Sequence, residues 1–442
     1  MKKKISLLAI LALCMLVVFG CSNDGTEKGG TEAEETKTTD EKVAAEKVVD
    51  EQVSLKMAVF PADEEVFKKG YEDFKKDHPN VDITFETFPQ QQYYEKIRMQ
   101  LSGGDGYDLF TGQMDNMIDT GILAPLDDYI KETGMDVSGY GTMFDTFKSD
   151  GEVMSLPYRK SNWMLYYNKT LFDEKGTDYP SDDMTWEQFR ELAKKMTSGS
   201  GNDKVYGAYL QQWPSTWYMS AVQKGASVID KDLSPFKDAL QVRLDLENDG
   251  SVMKWSEQVS TGAHYNAAFQ KGNIAMNIIG DWHVAQLRQG EAEGTMKFEW
   301  DVVPIPHPEG VEKNTSLALP VSIMMNKNTK HPKEAFEFLQ YMTGKKGAEL
   351  LASQGYLTGF MDEEVKKAYL GDGTQQPKSL HYFLETKEYP EYPMLPGVKN
   401  IVVEQIFKQE GELALIGQNS VDDAIKEITK RVESEWASKY GN

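Results

Sequence analysis

The chain has 442 residues, 40% hydrophobic and 27% charged, with a formal net charge of −22. That length favours two or three domains with cores of their own, and so acidic a balance opposes non-specific nucleic-acid binding and a basic face lying on anionic lipid. Its two cysteines, Cys14 and Cys21, lie within or just after an N-terminal apolar stretch, so the body carries no internal disulfide and no cysteine-rich zinc motif.

Lys2, Lys3 and Lys4 precede an apolar run from Ile5 to Phe19. The run is short for a bilayer span and has the charged-then-apolar order of a secretory signal, so residues 1–20 are predicted to be a signal peptide. Val18-Phe19-Gly20-Cys21 resembles the lipobox of bacterial lipoproteins, which makes Cys21 the expected lipidation site; an uncleaved signal anchor is the alternative. Residues 21–53 follow as an acidic linker with almost no large apolar side chain. Such a segment cannot offset its ordering entropy by burial and is predicted to be a disordered tether, with a reach on the order of 30 Å.

The body opens as strand, helix, strand. Leu55 to Phe60 alternates before Pro61, and Val66, Phe67, Tyr71 and Phe74 recur at helical spacing from Glu64 to His78. Val81, Ile83 and Phe85 alternate again, Tyr94, Ile97 and Leu101 mark a second helix, and Tyr107 to Phe110 reads as a third strand. This repetition predicts an α/β protein with a mainly parallel sheet, whose ligands sit beyond the carboxyl ends of the strands, near Phe60, Gln113 and Asp115. Thr185 to Gln188 reads as a capping box opening a helix through Met196. Further helices are predicted after His331-Pro332 and after Ser420, the last with Val421, Ala424, Ile425, Ile428 and Val432 as its buried stripe.

Several chemistries lack their signatures. Ser102 to Gly106 is glycine-rich, but no Gly-Lys-Ser/Thr follows as a phosphate loop needs. The six histidines have no zinc spacing, the acidic patches lack a calcium-hand pattern, and no Gly-x-Ser-x-Gly elbow occurs. No metal or cofactor is expected.

Two stretches carry a family resemblance. One is Leu156-Pro157, then Leu165 to Phe172 and Thr185-Trp186-Glu187; the other is Ala268 to Met276, closing on Gly280-Asp281-Trp282. Together with the turn Gly121 to Asp127 they resemble the extracellular solute-binding proteins of family 1, the maltose-binding-like receptors of ABC importers. The resemblance implies a two-lobed, type II periplasmic-binding fold with a hinge and the ligand in the cleft between lobes. Residues 54–161 plus 281–326 would form lobe 1, and 162–280 plus 327–442 lobe 2, with crossovers near Ser161–Leu165, Ile278–Asp281 and Asn326. It further implies a non-enzymatic monomer that closes on a sugar or oligosaccharide and passes it to a membrane permease. The lipobox predicts a lipid anchor on the extracellular face of the cell membrane, and the absence of disulfides with a single acyl-bearing thiol fits a Gram-positive surface, a Gram-negative periplasm being the alternative. A secreted glycoside hydrolase, which also uses aromatic platforms and paired acids, and a sugar receptor feeding a signalling system stand as alternatives.

A sugar offers apolar C–H faces and a rim of hydroxyls, so aromatic rings, carboxylates, amides and arginine are the side chains to look for. By the resemblance, Trp282 supplies the stacking face with Asp281 beside it, while Trp213, Trp217 and Gln212 belong to the second-lobe contacts. Asp115 matches an early-loop carboxylate; Asn116 beside it stands where some relatives have Arg. Arg159, Ser161 and Trp163 lie at the first crossover, and Phe60 and Glu64 follow the first strand. A further C-terminal contact would come from Tyr389, Tyr392 or Lys399.

Overall fold

The computed structural model describes residues 51–89, 92–102 and 106–441. The expected signal peptide, Cys21 and nearly all of the linker lie outside the described residues, as does most of the glycine-rich turn at 102–106.

Alternation dictates the first strand: in Val53–Ala58 the odd residues Val53, Leu55 and Met57 are buried while Ser54 and Lys56 face solvent. It pairs in parallel with Val81–Glu86 and with Leu109–Gly112. The ladder ends two residues earlier than the expected Phe60, because the Val59 amide turns to the carbonyl of Glu86 and the Phe60 amide to the Thr111 hydroxyl. Val321–Met325 and Leu156–Arg159 complete a five-stranded sheet in the order 81–86, 53–58, 109–112, 321–325, 156–159. The last three are buried along their whole length, as strands covered on both faces must be. One cover is Glu64–Asp77, whose Val66, Phe67 and Phe74 face inward. Gly70 lets Pro332–Thr343 approach closely: a Cβ there would lie 2.3 Å from the sulfur of Met342.

A second sheet has the order 300–304, 163–168, 276–280, 209–210. Trp163–Asn168 runs antiparallel to both neighbours, and Tyr209–Leu210 parallel to Met276–Gly280. Local signals decide its helices too. Thr185 and Gln188 cap Trp186–Met196 reciprocally, and the Ser420 hydroxyl accepts the Asp423 amide at the head of Val421–Arg431.

The chain crosses between the sheets at 160–162, between Leu156–Arg159 and Trp163–Asn168. Its later route departs from the expected boundaries. Gly280-Asp281 does not lead back to the first sheet. The helix Trp282–Ala292 folds against Tyr265–Gln270 with Val284 and Leu287 buried, and Trp300–Pro304 then joins the free edge of the second sheet beside Trp163–Asn168. The return comes only at 319–320, before Val321–Met325. Pro332–Thr343 and Lys345–Ser353 then pack on the first-sheet helix Glu64–Asp77 instead of on the second sheet. Residues 281–304 therefore lie with the second sheet and 327–353 with the first, the reverse of the sequence expectation. The cause is burial: the apolar faces of these helices and strands match surfaces that chain order alone does not reveal.

A third passage lies between Leu370, on a helix Glu363–Leu370 that packs on Lys345–Ser353, and Gln376, which accepts from Arg288 and from the Trp300 amide. The first two passages meet the loop 355–359 at one place. The Lys160 amide donates to the Leu357 carbonyl, Gly359 to Tyr158, Leu319 to Ser161 and Asp281 to Asn162. Ser161, at the centre, has φ +68°, a left-handed backbone unusual for serine and costing on the order of 1–3 kcal/mol.

Candidate functional site

The carboxyl ends of the first-sheet strands carry one side of a cluster of polar and aromatic residues beside this junction. The ring of Phe60 lies 4.4 Å from Tyr93 and 6.2 Å from Tyr94. After Leu109–Gly112 the short 3-10 turn Met114–Asn116 turns polar side chains inward. The Tyr94 hydroxyl accepts the Gln113 amide at 2.8 Å and donates to the Gln113 side chain. Asp115 is only 2% exposed, yet neither carboxylate oxygen has a well-aligned hydrogen-bond partner, although the Asp115 and Asn116 amides lie close enough to favour its charge; both side-chain atoms of the fully buried Asn116 likewise lack a well-aligned partner. Burial lifts the Asp115 carboxyl to about 7, against the pull of the Lys399 ammonium.

The first crossover supplies the cation. Arg159 Nε donates to Asp63 Oδ2 at 3.3 Å, Nη1 donates to the Ser161 hydroxyl, and the guanidinium stands 5.4 Å over the ring of Trp282. Burial works against its charge, but Asp63, Tyr158 and Asp281 outweigh it and hold the pKa above the ordinary value. Asp281 accepts the Leu357 amide at 2.9 Å through Oδ2, while its Oδ1 has no partner; burial raises this carboxyl to about 7, with Arg159 pulling the other way.

Facing these are three indoles in mutual contact. The Trp163 ring lies 5.9 Å from Trp282 and 6.1 Å from Trp213, both edge-on, and Trp213 lies 6.2 Å from Trp282. Trp163 Nε1 donates to Glu391 Oε2 at 3.2 Å and Trp282 Nε1 to the Tyr265 hydroxyl at 2.9 Å. Both indoles are thus oriented by polar partners as well as by packing.

The C-terminal region closes the ring of residues. Gly397, at φ +77°, starts a wide π-type helix over Val398–Phe407 that presents Lys399. The Lys399 ammonium is 2.9 Å from Glu404 and 5.2 Å above the Tyr392 ring, and it acts through space on Asp115 and Glu391 alike. The Tyr392 hydroxyl is buried without a partner. Burial pushes the Glu391 carboxyl up, with Lys399 opposing.

Of the residues expected from sequence, Phe60, Asp115, Arg159, Ser161, Trp163, Trp213, Asp281 and Trp282 thus gather around the crossovers. Gln212 lies in the same turn as Trp213 and has a buried Oε1 without a partner. Two do not join them. Trp217 is 1% exposed and stacks on Phe407 at 5.6 Å and 15°. Its spacing of four from Trp213 does not put both on one helical face, because the helix Ser215–Gln223 begins only after Pro214 and leaves Trp213 in the preceding turn. Glu64 ion-pairs with Lys68 at 2.8 Å, one turn along its own helix. Tyr94, Tyr265 and Glu391 belong to the cluster without being expected from sequence; only the aromatic and acidic run between Pro390 and Pro393 hints at Glu391. Among the described residues no three His, Cys, Asp or Glu side chains are grouped to hold a metal, and no helix is long and apolar enough to cross a membrane.

Comparison with known proteins agrees with this architecture. The family model for the bacterial extracellular solute-binding protein matches residues 57–349. The sn-glycerol-3-phosphate-binding periplasmic protein UgpB of Rhizobium meliloti is 34% identical over 362 residues, covering 76% of this chain and 80% of the relative. A sugar transporter from Rhizobium etli, solved in an open conformation, superposes with a TM-score of 0.70 at 30% identity, covering 86% of this chain and 99% of that one. An ABC substrate-binding protein from Listeria monocytogenes in complex with cycloalternan shares the fold, with a TM-score of 0.77 at 23% identity over 87% of this chain and 98% of the other. The two-lobed fold is shared with these solved structures, and this chain belongs to the bacterial extracellular solute-binding protein family.

Proposed function

We propose that this protein captures an uncharged sugar or oligosaccharide in the cleft and delivers it to the permease of an ABC importer. One observation carries the reading: a platform of three contacting indoles stands with a carboxylate and an amide, Asp115 and Asn116, that are buried yet unpartnered. A sugar ring supplies apolar C–H faces for the first and hydroxyl donors for the second. A buried polar group left unpaired costs about 1–3 kcal/mol, so each hydroxyl that reaches Asp115 or Asn116 recovers a cost the ligand-free protein already bears.

The relative named for glycerol phosphate suggests a second ligand, and the charges argue against it. A phosphate needs free cations, whereas Arg159 is paired with Asp63 and Lys399 with Glu404. Asp115, Asp281 and Glu391 add further acid. A neutral polyol suits this balance; a dianion does not.

In this reading the second-sheet lobe, with residues 163–304, pivots on the passages at 160–162, 319–320 and 371–375 against the first-sheet lobe. Periplasmic binding proteins as a class close in this way, by a hinge of a few residues that absorb the backbone change. Ligand shifts the population toward closure only by its preference for the closed form. The protein acts as a monomer, performs no hydrolysis and is tethered outside the membrane through a lipid on Cys21. A titration of tryptophan fluorescence with mannotriose, maltotriose and sn-glycerol-3-phosphate tests the ligand class. Saturable binding of a trisaccharide that is recovered intact supports the proposal; binding of the phosphate alone, or cleavage of the sugar, overturns it. Cys21→Ala protein should leave the membrane fraction, and retention there would refute the anchor.

A further inference from the structure

A buried ion pair lies behind the indole platform. Arg243 and Glu247, on the helix Pro235–Asn248, are 1% and 2% exposed, with Arg243 Nε 2.8 Å from Glu247 Oε1. Burying two charges is expensive, and hydrophobic residues of similar volume often stabilise as well or better, so a pair of this kind invites a search for what it holds. Arg243 Nη1 donates to the Thr216 hydroxyl at 3.1 Å. That hydroxyl, with a lone pair taken by Arg243, directs its one hydrogen between the carbonyls of Gln211 and Trp213, each 2.8 Å away. The turn 211–216 is thereby folded around Thr216, which is 2% exposed. The same turn continues into the site through Gln211, whose side-chain oxygen accepts from the Tyr209 hydroxyl at 3.1 Å and from the Tyr265 amide at 2.9 Å. Tyr265 in turn receives Trp282 Nε1 and lies 5.7 Å from the Trp213 ring.

We infer that Thr216, held from behind by the Arg243–Glu247 pair, is a positioning residue that sets the orientation of Trp213 in the ligand platform and, through Gln211 and Tyr265, steadies Trp282. Neither Thr216 nor Arg243 touches the ligand in this arrangement. The hydroxyl does not cap the helix Ser215–Gln223, which has Pro214 at its head and no side-chain cap; it donates instead to the carbonyls of the preceding turn. Without it, the Gln211 and Trp213 carbonyls lose a buried donor and the turn that aims the indole is free to repack.

The inference rests on the carbohydrate reading for its effect on affinity, but its geometric core is testable without ligand. Near-ultraviolet circular dichroism of the ligand-free protein reads the coupling of the three contacting indoles. Thr216→Val keeps the volume and removes the hydroxyl, and it should diminish that signal; Thr216→Ser should restore it. For mannotriose, if the parent protein binds it, the valine variant should bind about five- to ten-fold more weakly and the serine variant as the parent does. Should the valine variant not fold, Thr216→Ala is read in the same way. A folded variant lacking the hydroxyl whose spectrum matches the parent overturns the inference whatever the sugar does. A diminished spectrum restored by serine supports it, even where no sugar binds the parent and the carbohydrate reading alone falls.

Discussion

The two walls of the cleft differ in how completely their polar atoms are satisfied. On the indole side Trp163 and Trp282 each donate to a named acceptor, and their rings lock edge to face. On the other side Asp115 and Asn116 are buried, and four of their side-chain atoms have no partner. The Trp163 and Trp282 donors are satisfied within the protein; in the proposed reading the Asp115 and Asn116 side chains find their partners on the ligand. Native interiors rarely leave such groups orphaned, so the contrast separates a preformed platform from a recognition surface that awaits donors.

The largest effect should come from outside both walls. Trp217→Ala removes a ring stacked in the second-lobe core and should cost about 3–5 kcal/mol of stability, seen in denaturant unfolding, with affinity for a bound trisaccharide unchanged in whatever remains folded. Weakened affinity at full stability would return Trp217 to the site.

Removing the unsatisfied acid strikes the recognition wall. Asp115→Ala should weaken sugar binding by about 1.5–3 kcal/mol in calorimetry, the range for hydrogen bonds to a charged group. The same residue predicts a pH response. Buried as it is in this structure, its carboxyl lies at about 7, with Lys399 opposing and Asp119 adding to the rise; a form that exposes it, as the proposed opening would, returns it to the ordinary range. The form that buries it therefore holds the extra proton, and its advantage is complete below the ordinary carboxylate pKa and lost as pH climbs through 7. Ligand-free protein should be more compact at pH 5 than at pH 8 by small-angle scattering, with the difference reduced in Asp115→Asn. Equal radii at both values would count against a titrating acid in the cleft.

On the platform, Trp282→Ala should weaken binding by about 1–3 kcal/mol while the melting temperature changes little, since one stacking face is lost and the ring is only half-buried. Full affinity would remove Trp282 from the platform. The smallest effect should belong to Glu64→Gln: its pair with Lys68 is a surface i,i+4 contact, so stability and affinity should both stay within about 0.5 kcal/mol.

Comparing particular residues shows what kind of information a sequence holds. The capping box at Thr185, the serine cap at 420 and the amphipathic helix from Glu64 are legible because each depends on neighbours a few positions away. Trp213 and Trp217 are not separable, since four residues apart reads as one helical face until Pro214 is known to stand outside the helix. Glu391, and the coupling of the candidate Lys399 to Asp115, are out of reach for another reason. Lys399 acts on both Asp115 and Glu391, and its relation to Asp115 joins residues far apart in the chain and exists only once both lobes are folded.

Local chemistry alone settled the α/β alternation, the helix ends and the aromatic turn at Gly280-Asp281-Trp282, because hydrogen bonds along the backbone and the period of apolar side chains act over a few residues. Which sheet received Trp300–Pro304, which lobe took Pro332–Ser353, and which acids were left buried without partners were decided by tertiary packing. Those outcomes depend on apolar surfaces and charges that meet only after the chain has crossed three times between its sheets, and the free energy of such encounters is written in no single stretch of residues.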